Sequence, residues 1–249
     1  METLGDDLVL LAILPNGVIG AAPKLRFGLS GSELIRLAAL RRVGVERDRV
    51  VVLDQAPTGD LFLDEALASM HGSPSAKAWV VGSQDELVRR YLERLAAAGT
   101  IRLERRKALG LVAVDGWTVL DAGRLAAARA RLDAIAYGAD GADVTGVALA
   151  GLVTAIGLPP LVYPGFRGSA ARRRIARAAR GSGSAAGRTQ AAGAAVTSAP
   201  DEATDAAVRA AADASVRASI DATAQAVIWT GGDTAHHAHG GSGHAGGHH

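Results

Sequence analysis

The chain has 249 residues, 49% hydrophobic and only 4% aromatic, so it fits one ordinary domain with a core of Leu, Val, Ile and Ala and chain to spare. Its 27 basic and 25 acidic side chains nearly cancel, so net charge excludes little and local clustering must mark any binding surface. There is no Cys, which excludes disulfides, cysteine–zinc sites and thiol nucleophiles and suits a reducing compartment.

Residues 6–14 read as a short apolar helix. Asp6 and Asp7 stand where a signal peptide would be basic, so no leader is expected. Pro15-Asn16-Gly17 marks a turn and Val18-Ile19 a short strand. Residues 21–28, AAPKLRFG, read as a loop carrying Lys24 and Arg26. Ser30 or Ser32 is expected to cap a helix running to about Arg42, with Leu34, Leu37, Ala38 and Leu40 as its apolar face and Gly44 as its stop. Val50 to Leu53 is a strand candidate.

The stretch 55–70, QAPTGDLFLDEALASM, joins a turn to a helix start. Pro57 fixes one φ and Gly59 permits a positive one, so the chain reverses there. Asp60 is placed to cap the helix, and Asp64 and Glu65 suit its positive end. Those carboxylates, without a neighbouring His, read as structural rather than as an acid–base pair.

Residues 76–81 read as a short helix or an extended segment. Gln84 to Ala98 is an amphipathic helix, with Leu87, Tyr91, Leu92 and Leu95 on one side and Gly99 as terminator. Ile101–Glu104 and Leu109–Val114 read as a β-hairpin with Arg105-Arg106-Lys107 as its basic turn, closed by Asp115, Gly116 and Trp117. Helices are expected at about 121–137, 144–157 and 169–180, the last rich in Arg. The apolar run 147–163 is shorter than the roughly 20 residues a span needs, and Gly157, Pro159 and Pro160 interrupt it, so it reads as a buried helix and a loop. Residues 181–202 read as a flexible linker, 203–230 as a C-terminal helical segment of the same domain, and 231–249 as a disordered His/Gly-rich tail. His236, His237 and His239 offer only incidental metal affinity there.

Three stretches together resemble the Golgi phosphoprotein 3 family of peripheral membrane proteins that bind phosphatidylinositol 4-phosphate. They are the PTGD–LDEAL signature at 57–67, GLSGSELIRLAALRRVGVE at 28–46, and ERLAAAGTIRLERRKALGLVAV at 93–114. The resemblance covers roughly residues 5–180 and a C-terminal helix near 214–229. It agrees with a mainly α fold: a compact helical domain with one β-hairpin and a disordered C-terminal tail. The Ala-, Arg- and Gly-heavy composition points to a bacterial member.

The resemblance implies membrane docking in two parts, a headgroup pocket and an inserting hairpin. The family's pocket Trp falls near Ala21 and its basic positions at Ser30, Asp85 and Val88, so none is matched. Lys24, Arg26, Arg89 and Arg90 are the candidates to refill that pocket with positive charge. In the hairpin, Arg105, Arg106 and Lys107 would meet the lipid surface while Leu109, Leu111 and Val112 insert. Expected partners are anionic membrane lipid, phosphatidylinositol 4-phosphate among them, and protein clients, with the chain peripheral on the cytosolic face. A helix followed by a hairpin with a basic turn also fits a winged-helix nucleic-acid binder, which is the alternative. No phosphate-loop, dinucleotide, zincin or nucleophile-elbow motif occurs, so neither an enzyme nor a cofactor is expected.

Overall fold

The computed structural model describes residues 3–46, 49–82, 85–108, 112–138, 143–179 and 223. The chain is mainly helical, and its core is built around the first helix, α1 (Leu4–Ala12), every residue of which is buried. α1 packs against α2 (Ala22–Ala39), α5 (Asp85–Ala97), α6 (Ala122–Tyr137) and α7 (Val144–Ala155). Thr3 and Asp6 form a capping box at its start: the Asp6 amide donates to Thr3 Oγ1 and the Thr3 amide to Asp6 Oδ2, both at 3.2 Å.

Pro15 to Gly17 turns the chain as expected, and Ile13 and Ile19 form an antiparallel bridge across that turn. The next stretch differs from the expected loop. α2 begins at Ala22, so Lys24 and Arg26 lie on a helix rather than before one. Ala21 holds a left-handed φ of 54° at the cap, and Pro23 sits in the first turn, where its missing N–H costs nothing. Gly28, Ser30, Gly31 and Ser32 imitate a helix start but lie inside the helix. Gly28 and Gly31 allow close approach: a Cβ at Gly28 would sit 2.7 Å from Leu8 Cδ2, and one at Gly31 2.2 Å from Thr223 Oγ1. Ser32 satisfies its hydroxyl within the helix by donating to the Leu29 carbonyl at 2.7 Å.

Two antiparallel hairpins are present among the described residues. The first pairs β1 (Val43–Glu46) with β2 (Arg49–Val52), Val43 opposite Val52. Gly44 therefore lies in a strand and does not end a helix. Strands of four residues, one of them Gly, are too short to show a period.

α3 (Leu61–Ala68) starts where the signature predicts, and the Phe62 amide donates to Asp60 Oδ1 at 3.0 Å. Ser75 caps α4 (Ala76–Val81), which settles that segment as helical. The second hairpin pairs β3 (Ile101–Ala108) with β4 (Val112–Val119). Its strands run further than predicted. Arg105, Arg106 and Lys107 belong to β3 instead of forming the turn, and Asp115, Gly116 and Trp117 belong to β4. Residues 109–111, between the two strands, lie outside the described residues, and Leu109 and Leu111 with them.

α7 is the buried apolar helix expected there; α8 (Pro159–Val162) and α9 (169–179) follow it. Of the C-terminal linker, helical segment and tail, only Thr223 is described; it is helical and fully buried against Gly31 of α2.

Candidate functional site

A cluster of charges joins α1, α2, α3 and α5. At its centre is Asp60, the last residue of the PTGD turn. Besides capping α3, it accepts from Arg36 Nη2 of α2 at 2.9 Å, and Arg94 Nη1 of α5 lies 3.9 Å away. Burial works against its ionisation, but the Arg36 bond and charge, the Phe62 amide and Arg94 outweigh that and hold its carboxyl below the usual range. Arg94 also reaches Asp6 Oδ1 of α1 at 2.5 Å, and Arg124 Nη2 of α6 approaches Asp6 Oδ2 at 3.5 Å. Asp7, equally buried, is paired with Arg131. The two aspartates that argued against a leader are thus the polar anchor of the central helix. They lie at its positive end and are matched by arginines from α5 and α6.

Aromatic rings line the same cluster. Phe62 and Tyr91 stack at 4.8 Å between centroids. The Arg94 guanidinium lies 4.3 Å from the Phe62 centroid and 4.4 Å from that of Tyr91, and Arg90 lies 4.7 Å from Phe62. Glu33 of α2 is 4% exposed beside them. Burial pushes its carboxyl up to about 8, against the pull of Arg90, Arg36 and Arg94. Burial likewise raises the Tyr91 hydroxyl, helped by Glu33.

The expected headgroup residues are distributed unevenly around this cluster. Arg90 belongs to it, paired with Glu65 of α3 at 2.5 Å and acting on Glu33. Arg89 lies on the outer face of α5, 60% exposed, and is held by Glu86 and Glu93 of the same helix. Lys24 and Arg26 are half-buried in the first turns of α2, and the Arg26 guanidinium rests 4.7 Å from the Phe27 ring centroid. Arg26 and Glu33, seven residues apart, share a helix face and are separated by about 10 Å along the axis. Ser30, where the family's first basic position falls, is 2% exposed inside α2.

The hairpin carries the other expected residues. Arg105 is 79% exposed and pairs loosely with Asp115 at 3.5 Å. Arg106 stands opposite Val114, Lys107 opposite Ala113 and Ala108 opposite Val112. Nearer the root, Leu103 faces Trp117 across the strands and is 51% exposed. The Trp117 amide donates to the Gly17 carbonyl at 2.8 Å, which ties the hairpin root to the turn after α1.

A cleft of about 450 Å³ lies apart from both groups, between β2 and α3, with Val51, Val52, Asp64, Leu67, Met70 and His71 on its walls. Among the described residues no cluster of His, Asp or Glu could hold a metal ion, and no helix is long and apolar enough to cross a membrane.

Glu33, Asp6 and Arg94 escaped the sequence reading. Two of them left a signal. Thr3-x-x-Asp6 is a capping-box spacing ahead of an apolar run. Glu33 interrupts the apolar face that Leu34, Leu37 and Ala38 define. Arg94 left none, since it shares α5 with Arg89 and Arg90 and periodicity alone does not say which arginine turns inward.

No curated protein matches the chain. The family model of Golgi phosphoprotein 3 (GPP34) matches residues 4–223, from the first residue of α1 to the one described residue of the C-terminal segment. With its signature turn binding α2, α3 and α5 together and its basic hairpin after α5, the chain belongs to the Golgi phosphoprotein 3 family.

Proposed function

We propose that this protein is a non-enzymatic peripheral membrane protein that docks on anionic lipid, with its β3–β4 hairpin as the main contact. One observation carries the reading. β3 and β4 each extend for eight residues, about 26 Å of strand, and the cations Arg105, Arg106 and Lys107 precede Leu109 and Leu111 directly in the sequence. Arg105 is largely in water, held only by a loose pair. Cations next in sequence to apolar residues suit a headgroup layer above acyl chains. Each basic residue near such a surface contributes about 1 kcal/mol, and buried apolar area about 25 cal/mol per Å².

Headgroup phosphate is assigned to Lys24, Arg26, Arg89 and Arg90, with phosphatidylinositol 4-phosphate the first candidate because of the family. Docking would be on the cytosolic face, and protein clients would be met there. Replacing Leu109 and Leu111 by Asp should abolish flotation with anionic liposomes while the helical circular dichroism stays unchanged. Retained flotation would remove the hairpin from the mechanism. A DNA gel shift at moderate salt, with no flotation, would favour the winged-helix alternative.

A further inference from the structure

The turn between α8 and α9, YPGFRG at 163–168, is tied down by its own bonds. Arg172 Nη1 donates to the Tyr163 carbonyl at 2.5 Å and to the Gly165 carbonyl at 2.9 Å. The Ser169 amide donates to the Phe166 carbonyl at 3.0 Å. Gly168 packs so closely that a Cβ there would lie 2.3 Å from the Tyr163 oxygen, so no other residue fits without moving the backbone. Tyr163 roots the turn in the core: it is 6% exposed and its hydroxyl donates to Asp133 Oδ1 at 2.6 Å.

At the apex of this firmly held turn, Phe166 is 92% exposed. An aromatic ring in water is unfavourable, and the turn's own bonds hold it outward rather than letting it fold back. Arg167 follows directly and is exposed. On α9, Ala171 and Ile175 face the core while Arg173 and Arg177, one turn apart, face water. An outward ring on a tied-down turn, followed by an exposed arginine and by a helix with arginines on its solvent side, matches the interface of an anionic bilayer in both polarity and charge.

We propose that the 163–168 turn and α9 form a second anionic-lipid contact. Phe166 enters the headgroup–acyl boundary, and Arg167, Arg173 and Arg177 meet headgroup phosphates. This rests on the reading that the protein docks on anionic membranes, and it gives that docking a second foot. Lipid suits the surface better than nucleic acid, because a duplex would have to unstack a base step to accept the ring.

The chain lacks Cys, so Phe166→Cys can be labelled cleanly with an environment-sensitive fluorophore. The label should brighten and shift to the blue with phosphatidylcholine–phosphatidylserine vesicles, be quenched by spin-labelled acyl chains, and ignore pure phosphatidylcholine. A second probe at Leu109→Cys reports the hairpin separately. If the Leu109 probe responds and the Phe166 probe does not, the second contact is wrong and the hairpin stands. If only the Phe166 probe responds, the second contact stands and the hairpin is wrong. Silence from both, or a Phe166 response to duplex DNA alone, overturns the proposal. Unlabelled Phe166→Asp should weaken partitioning onto anionic vesicles about tenfold, since a buried ring becomes a charge. Unchanged partitioning would also overturn it.

Discussion

Glu33 carries an unpaired, buried Oε1 although it has opposite charges on two sides. Arg36 acts on it from its own helix, and Arg90 and Arg94 from α5; Asp60 at the start of α3 repels it, and Tyr91 lies beside it. The arginines are already engaged, Arg36 with Asp60, Arg94 with Asp6 and Arg90 with Glu65, so desolvation prevails and the carboxyl stays protonated to about pH 8. Unfolded, it ionises near 4.5. Between those values the folded chain keeps a proton that the unfolded chain has released. Glu33 therefore stabilises the fold most below pH 4.5, loses that contribution as pH rises, and levels off above about 8. The loss accumulates with each pH unit across the window. Glu33→Gln cannot ionise, so urea unfolding at pH 5, 6, 7 and 8 should show the variant gaining on the wild type with each step. Parallel curves would mean that Glu33 is already charged in the folded protein.

At the scale of elements, the signature turn is a junction. Asp60 holds the first turn of α3, a side chain of α2 and, more distantly, one of α5. Asp60→Ala removes the cap, worth about 1 kcal/mol, and leaves Arg36 without its carboxylate in a half-buried site. A total loss of about 2–4 kcal/mol should appear in urea titration. Asp60→Asn, which keeps the cap, should lose clearly less. Equal losses would show that the pair with Arg36 accounts for the whole effect and that the cap contributes nothing. Much of this junction was legible beforehand, because a Pro-Thr-Gly-Asp turn before an apolar run has a local meaning. The α5 helix was legible for a similar reason: Leu87, Tyr91, Leu92 and Leu95 repeat at helical spacing. The start of α2 was not. Gly28, Ser30, Gly31 and Ser32 have the chemistry of a cap but lie inside the helix, where Gly28 and Gly31 serve close packing against Leu8 and Thr223, far away in sequence. The hairpin was visible as a pair of strands. Its extent was misread because three successive cations look like a turn when their cross-strand partners are unseen.

On the scale of the whole molecule, the charges sort by role. Asp6, Asp7, Asp60 and Glu33 are turned inward with arginines beside them, and they hold the helices in place. The cations at Arg105, Arg167, Arg173 and Arg177 are turned outward. A chain whose formal charge is only +2 can thus still present local positive surface where such cations stand outward. This inward–outward division was not legible from composition, because a near-zero sum hides where each sign points.

Docking on anionic membranes is proposed for these outward surfaces. Flotation of the wild-type chain is the measurement to make, with vesicles of phosphatidylcholine alone, phosphatidylcholine with phosphatidylserine, and phosphatidylcholine with phosphatidylinositol 4-phosphate, at low and at physiological salt. Flotation is expected with both anionic mixtures and not with the neutral one, weakening as salt screens the arginines. Protein that stays at the bottom of every gradient, or floats equally with neutral vesicles, would contradict it.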